Sequence, residues 1–227
     1  MSRPVRTSLS VIEDALGPLE GKHVLDLGCG HGALAKALVR RGAEVTGVDP
    51  QIEAVEAAEQ AVPEARFVQA GAEHLPHRDG LFDAVVILNA LHHVPAPLMR
   101  AALREAVRVS AGPVLVIEPL AEGSFFEAVR LVDDETEVRA LAQAALTDAI
   151  AAGDVTLVRM EEYEDHRAFS GPEALLRKIV EVDPARAEIA ARRAPEVVEV
   201  VRAVAEPQGE GFVLIQPHRA HLLRRPS

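Results

Sequence analysis

The chain has 227 residues, 48% apolar and 26% charged, enough to bury the core of one α/β domain and far from the composition of a disordered chain. Its 24 Lys and Arg stand against 35 Asp and Glu, and the resulting net charge of -11 opposes nucleic-acid phosphates and anionic lipid headgroups. Aromatics supply only 3%, with no Trp and the single Tyr163, which leaves little for base-stacking platforms, and the lone Cys29 excludes an internal disulfide and any multi-cysteine metal centre.

Residues 1–10 carry Arg3 and Arg6 but no apolar h-region, and no 18-residue apolar run occurs anywhere, so neither secretion nor membrane spanning is expected and cytoplasm is the expected compartment. The run His-Val-Leu-Asp-Leu at 23–27 reads as a short buried strand, followed by a glycine cluster at Gly28, Gly30 and Gly32 and a helix over 33–41 that Gly42 closes. A second strand over 43–48 ends at Asp49 and completes a βαβ unit. A helix at 52–61, a brief strand at 66–69, a loop at 70–80, a fully apolar strand at 82–88, an amphipathic helix at 97–110 and a fifth strand at 113–117 continue the alternation. Crossovers of this kind demand a mainly parallel sheet with helices on both faces and a ligand crevice at the carboxyl ends of the strands.

After Glu118 the rhythm changes. Helices at 124–131 and 135–151 follow one another without a strand and read as a helical cap over about 121–152. Strand character returns at 155–163, helices at 172–182 and 185–205, and a last strand at 212–223. The chain is thus expected to form one domain over 1–227, its core drawn from about 20–120 and 153–224.

The glycines lie where a strand turns into a helix, and without Cβ they permit positive φ and close approach of a ligand. On spacing alone two cofactors compete, because Gly28-x-Gly30-x-x-Ala33 also satisfies the dinucleotide fingerprint and Asp49 stands near the offset of a ribose-binding acid. Asp26 discriminates between them by charge. Two residues before Gly28, its carboxylate would oppose a pyrophosphate at the helix N-terminus by about 1 to 4 kcal/mol at roughly 4 Å, whereas it would attract the ammonium of a cationic nucleoside. An NAD(P)-dependent oxidoreductase and a non-catalytic binding protein remain the alternatives.

Val24-Leu25-Asp26-Leu27-Gly28-Cys29-Gly30-His31-Gly32, with Val45-Thr46-Gly47-Val48-Asp49, resembles the first two motifs of class I S-adenosylmethionine-dependent methyltransferases. Ala72-Glu73-His74-Leu75-Pro76, Phe82-Asp83-Ala84-Val85 and Leu91-His92-His93-Val94 follow in the order seen in the branch with ubiquinone and menaquinone C-methyltransferases. The resemblance covers roughly residues 20–120. It implies a Rossmann-like seven-stranded sheet with an antiparallel last strand, S-adenosylmethionine as methyl donor with S-adenosylhomocysteine as product, and a small-molecule acceptor alkylated at O, N or C. It also implies that Asp26, Gly28, Cys29, Gly30 and Gly32 line the methyl donor and that Asp49 takes the ribose hydroxyls. Pro50 and Gln51 would then line ribose and adenine, Ala72 and Glu73 the adenine edge, and Asn89, Ala90 and Leu91 the methionine end. The chain departs from this pattern at Gly71, where relatives often place an Asp, so Glu73 or a backbone carbonyl must accept from the adenine amino group, or affinity drops.

His92 and His93 open the crevice, where an imidazole could deprotonate an acceptor, and both also suit a helix entry before Pro95. Phe125, Phe126, Tyr163, His166 and Phe169 fall where this fold builds acceptor pockets, although such residues more often serve as core. Cys29 is read as a small turn residue without chemistry. No metal site is expected: His74-x-x-His77 and His218-x-x-His221 lack carboxylate company and are expected at the surface, as are Arg192-Arg193 and Arg224-Arg225. The stretch Asn89-Ala90-Leu91-His92 is not the Asp/Asn-Pro-Pro-Tyr/Phe motif of base and amide methylation, and one cysteine is too few for arsenic methylation. The acceptor is expected to be a small molecule and the protein a monomer or homodimer.

Overall fold

A computed structural model describes residues 3–226. In chain order it contains α1 (Ser8–Leu16), β1 (His23–Leu27), α2 (Ala33–Val39), β2 (Glu44–Asp49), α3 (Ile52–Ala61), β3 (Arg66–Gln69), β4 (Ala84–Leu88), α4 (Ala96–Val109), β5 (Val114–Pro119) and α5 (Ser124–Val129). There follow α6 (Thr136–Ala151), β6 (Thr156–Phe169), α7 (Pro172–Val182), α8 (Ala187–Val204), β7 (Glu206–Gln208) and β8 (Gly211–Arg224). One 3₁₀ turn, Leu91–His93, links β4 to α4, and another, Pro184–Arg186, links α7 to α8.

The strand order is β3-β2-β1-β4-β5-β8-β6, and β7 pairs with β8. Strands β1 to β5 pair in parallel, with Asp26 beside Gly47 and Val86, Asp49 beside Gln69, and Leu88 beside Ile117. The antiparallel β7–β8 hairpin adds a three-residue eighth strand to the seven expected. β1 sits between β2 and β4, so the crossovers on its two sides leave in opposite directions and open a crevice at its carboxyl end.

Local chemistry explains the elements around this point. β1 and β4 are buried on both faces, as continuous apolar strands of a covered parallel sheet must be. α2 starts from Gly32 in the left-handed region, and α4 carries Pro at its first turn, where no backbone N–H is needed. α4 buries Met99, Ala102, Leu103, Ala106 and Val107, one stripe of helical period. Three differences from the sequence reading stand out. α1 had no strong cap or glycine signal, β6 runs on to Phe169, and Phe82 joins a bridge to Ser110 ahead of β4 rather than the strand itself.

The chain divides into two compact units. One comprises Ser8–Glu118, Leu141–Glu161 and the segment from Arg219. Its core gathers Leu25, Leu27, Val48, Val85, Ile87, Leu103, Val116 and Leu146. The other comprises the segment up to Thr7, Pro119–Ala140 and Glu162–His218, with a core of Val129, Leu175, Ile179, Val197, Val201 and Leu214. Among the described residues no helix is long and apolar enough to cross a membrane.

Candidate functional site

Asp26 closes on the turn between β1 and α2 and is 1% exposed. A backbone N–H at Ala35 in the first turn of α2 favours its charged form, yet Oδ2 is buried without a hydrogen-bond partner. Burial outweighs that N–H, and nearby Asp49 adds to it, so the carboxyl is pushed up from 3.8 to about 7. A half-satisfied buried carboxylate at a helix N-terminus can accept from a cationic donor once it is ionised.

The turn itself is shaped by glycine. Gly28 has φ +82 and a Cβ there would stand 2.4 Å from Ala90 Cβ, so the turn and the loop after β4 touch. Gly30 has φ +48 and faces open space. The N–H groups that a pyrophosphate would need already have protein acceptors. Gly28 and Cys29 both donate to Val48 O at 2.8 and 3.0 Å, Gly32 donates to Cys29 O at 3.0 Å, and Gly30 donates to Asp49 Oδ2 at 3.0 Å. The loop is therefore a phosphate cradle in spacing only. Cys29 is 7% exposed, and burial together with Asp26 and Asp49 holds its thiol well above the ordinary range, which removes it as a nucleophile. Gly47, part of the second motif but given no role from sequence, leaves room for Phe67 and the Cys29 sulfur, since a Cβ there would lie 2.5 Å from the ring and 2.9 Å from Sγ.

Asp49 is 9% exposed and its carboxylate is oriented from both ends, Oδ2 by Gly30 and Oδ1 by the N–H of Gln51 at 3.0 Å. Each oxygen keeps a second lone pair for a diol. Gln69 Nε2 donates to Pro50 O at 3.1 Å and fixes the chain where it leaves β2. In the 70–80 loop the Glu73 carboxylate folds over Gly71: a Cβ at residue 71 would meet Oε1 at 2.5 Å and Oε2 at 2.6 Å. Glu73 thus fills the volume that a side chain at residue 71 would use. α4 braces this loop, because Glu105 accepts the Leu75 N–H at 2.8 Å and Arg108 donates to Leu75 O, His77 O and Asp79.

Beyond β4 the backbone reverses at Asn89, the only non-glycine residue described with positive φ, at +52, and its Oδ1 is buried without a partner. The next residues converge on Glu118, which is 0% exposed at the end of β5. Oε1 accepts the N–H groups of Ala90 and Leu91 at 3.0 and 2.9 Å. Oε2 lies 3.4 Å from His92 N and 2.5 Å from His92 Nδ1. Leu91 and His92 are buried, whereas His93 is exposed with its ring 4.1 Å from that of His92. Sequence reasoning missed Glu118, since its role arises only when β4 and β5 lie side by side.

In the other unit, Phe125, Phe169 and Phe212 form one aromatic cluster against its core, with Phe125 and Phe169 stacked at 6.3 Å and Arg167 over Phe125. Phe126 is buried beneath the guanidinium of Arg139, and Tyr163 is fully buried and stacked on His218 at 5.2 Å. His166 lies 3.5 Å from Glu164 on the exposed side of β6. The surface placement expected for His218 and His221 is corrected: they are 0% and 5% exposed, because β8 lies inside the sheet order rather than at its edge. Burial, with nearby Arg167, lowers His218 to about 4, so it sits in the interior as a neutral ring. His74 is exposed and His77 half-buried against Phe82.

Residues 24–111, less than half of the chain, match the family model described as a methyltransferase domain. A "Ubiquinone biosynthesis O-methyltransferase" of Alkalilimnicola ehrlichii is 44% identical over 95 residues, 39% of this chain and 38% of the relative. One of the same name from Escherichia coli O157:H7 is 38% identical over 94 residues, 39% of each chain. The chain thus matches under two-fifths of those relatives' length, and the family-model match contains Asp26, Asp49, Glu73 and His92. Among solved structures, YcgJ of Bacillus subtilis superposes with a TM-score of 0.63 at 21% identity, covering 97% of this chain and 99% of its own. The (4+2)-cyclase SpnF gives 0.64 at 19% identity, covering 96% and 79%. The fold is thus that of the Rossmann-like methyltransferases, and the same fold also carries a cyclase.

Proposed function

We propose that the chain binds S-adenosylmethionine at the turn between β1 and α2 and transfers its methyl group to a small-molecule acceptor. The observation that carries this reading is Asp26, buried at the turn with an orphaned Oδ2, beside glycine N–H groups already engaged by Val48 and Asp49. That constellation favours a cationic, phosphate-free nucleoside over a dinucleotide. When bound, the methyl donor supplies an electrophilic sulfonium methyl group.

The residues have distinct parts to play. Asp26 takes the amino-acid ammonium directly or through water, and Asp49, oriented by Gly30 and Gln51, accepts from both ribose hydroxyls. Gly28, Cys29, Gly30 and Gly32 give close backbone approach, and Pro50 and Gln51 flank the ribose and adenine. Glu73 accepts from the adenine amino group with the carboxylate folded over Gly71, next to Ala72. Asn89, Ala90 and Leu91 border the methionine end, which places His92 and His93 nearest the acceptor. In the other unit, Phe125, His166 and Phe169 remain candidates to line an acceptor pocket there, whereas Phe126 and Tyr163 are buried as core. The name borne by the relatives that match about two-fifths of this chain favours an oxygen acceptor. The net charge of -11 supports a small molecule rather than nucleic acid or membrane as partner, and we place the protein in the cytoplasm as a monomer or homodimer.

Calorimetry with S-adenosylhomocysteine tests the reading. Micromolar-to-millimolar binding is expected, and binding of NAD or NADP with none of S-adenosylhomocysteine would overturn it.

A further inference from the structure

We infer that His77 is a pH-sensitive latch on the 70–80 loop. As a neutral ring it lodges beside Phe82 and keeps the loop on α4; once protonated it is driven out by Arg108 and His23, and the loop is freed. The consequence for cofactor binding rests on the functional reading above, which gives Ala72 and Glu73 of the same loop to the adenine. Phe82 is fully buried, and the rings of His23 and His77 meet it edge-on with centroids at 4.6 and 5.1 Å. His77 Nδ1 is buried there with no hydrogen-bond partner among the described residues.

Arg108 of α4 is the pivot on which the loop hangs. It donates to Leu75 O at 3.1 Å, to His77 O at 2.8 Å and to Asp79 at 2.9 Å, while Glu105 accepts the Leu75 N–H at 2.8 Å. A guanidinium is thus bonded to the backbone of the residue whose ring titrates. A neutral imidazole sits against the Phe82 edge at little cost. An imidazolium would bring a buried N–H without an acceptor and a second positive charge beside Arg108. Burial first, then His23 and Arg108, hold the His77 ring below its ordinary 6.5.

The other charges around the ring do not neutralise it. Arg108 holds Glu105 and Asp79 below the ordinary carboxylate range, so both stay ionised in mild acid, and Arg225 shares Asp79 at 3.2 Å. Those two carboxylates are already matched by two guanidinium groups. Asp83 accepts the backbone N–H of His23 at 2.8 Å, and His23 Nε2 lies 3.0 Å from Thr46 Oγ1, so neither side chain turns to His77. His74 and Arg78 are exposed on the loop itself. The unfolded chain therefore binds the His77 proton more readily than the latched loop does. The hold on the loop is complete above pH 6.5 and weakens as pH falls below it.

The test is amide exchange in the ligand-free protein, which does not depend on the functional reading. Between pH 8 and pH 5 the protection of the Leu75 amide, corrected for intrinsic exchange, should fall by roughly 5- to 30-fold in wild type, the ceiling being the bias of a free histidine toward its charged form at pH 5. In His77→Phe, which keeps an aromatic edge on Phe82 and takes no proton, protection should change by less than about 2-fold. Equal losses in the two proteins overturn the latch. Should His77→Phe fail to fold, wild type alone decides: the His77 ring, titrated by NMR, should share its midpoint with the loss of Leu75 protection, and a ring that titrates while protection stays constant overturns the latch. Saturating S-adenosylhomocysteine should return Leu75 protection at pH 5 to at least its pH 8 value, because a ligand that binds only the closed loop closes it by mass action. Binding seen by calorimetry without that recovery overturns the link from loop to adenine site. Absence of any binding overturns the functional reading instead, and the exchange comparison still decides the latch.

Discussion

Replacing Asp26 with Asn tests the electrostatics of the turn, because the substitution keeps shape and removes charge. The folded protein holds this carboxyl at about 7 against an ordinary 3.8. A raised carboxyl contributes stability that is fully present below 3.8 and is lost as pH rises through about 7. At about 1.4 kcal/mol per tenfold change in proton affinity, wild type should lose on the order of 3 kcal/mol from this group alone between pH 5 and pH 8. Asp26→Asn does not titrate, so urea unfolding at both pH values should show the variant gaining on wild type by that amount as pH rises. Ligand binding should move the other way. A cation at Oδ2 selects the ionised form, so wild type should release close to one proton on binding S-adenosylhomocysteine near pH 6 and almost none at pH 8, read as the dependence of binding heat on buffer. The variant should release none and bind about 10- to 100-fold more weakly, the worth of a charge-assisted hydrogen bond. A stability difference that does not change with pH, or full affinity in Asp26→Asn, would refute the reasoning.

Gly28→Ala should destabilise by about 2 to 4 kcal/mol in urea, since it adds a 2.4 Å clash with Ala90 to an unfavourable φ, whereas Gly30→Ala meets open space and should cost only about 1 kcal/mol while abolishing most cofactor affinity. Glu73→Gln should weaken S-adenosylhomocysteine binding by about 10-fold and remove any preference over the analogue with hypoxanthine in place of adenine; a preference that survives would assign the adenine edge to the backbone. Cys29, buried with a raised thiol, should resist iodoacetamide at pH 8 and react at the rate of unfolding, and fast labelling of the folded protein would contradict its burial.

The geometry around Asp26 and Asp49 could be read from sequence because it is local. Asp26, the glycines and Asp49 are fixed by one strand, one turn and the next strand, and the chemistry of each residue type largely dictates where it sits. The Glu73 carboxylate over Gly71 is local in the same way, only two residues away. Glu118 was not, since 26 residues separate it from His92 and only the register of β4 on β5 brings them together. Nor could sequence separate core from pocket among Phe125, Phe126, Tyr163 and Phe169. An aromatic at a strand or helix position carries no mark of the face it turns to, and Phe125 and Phe169 cluster with Phe212, a residue no motif singled out. The same blindness put His218 and His221 at the surface: histidine is polar enough to suggest exposure, but β8 lies within the sheet.

Asp26 and Glu118 are both buried carboxylates at the carboxyl ends of parallel strands, and they differ in how far the protein satisfies them. Asp26 keeps one oxygen without a donor, so removing its charge relieves the free protein and penalises the complex. Glu118 has donors at both oxygens, so the amide of Glu118→Gln turns an NH₂ group toward donors that have lost their acceptor. That arrangement should cost about 2 to 4 kcal/mol. Two near-isosteric substitutions, on strands β1 and β5 that flank β4, should therefore shift the urea midpoint at pH 8 in opposite directions, upward for Asp26→Asn and downward for Glu118→Gln. Shifts of the same sign would mean that burial alone, and not the pairing of each oxygen, sets what these carboxylates do.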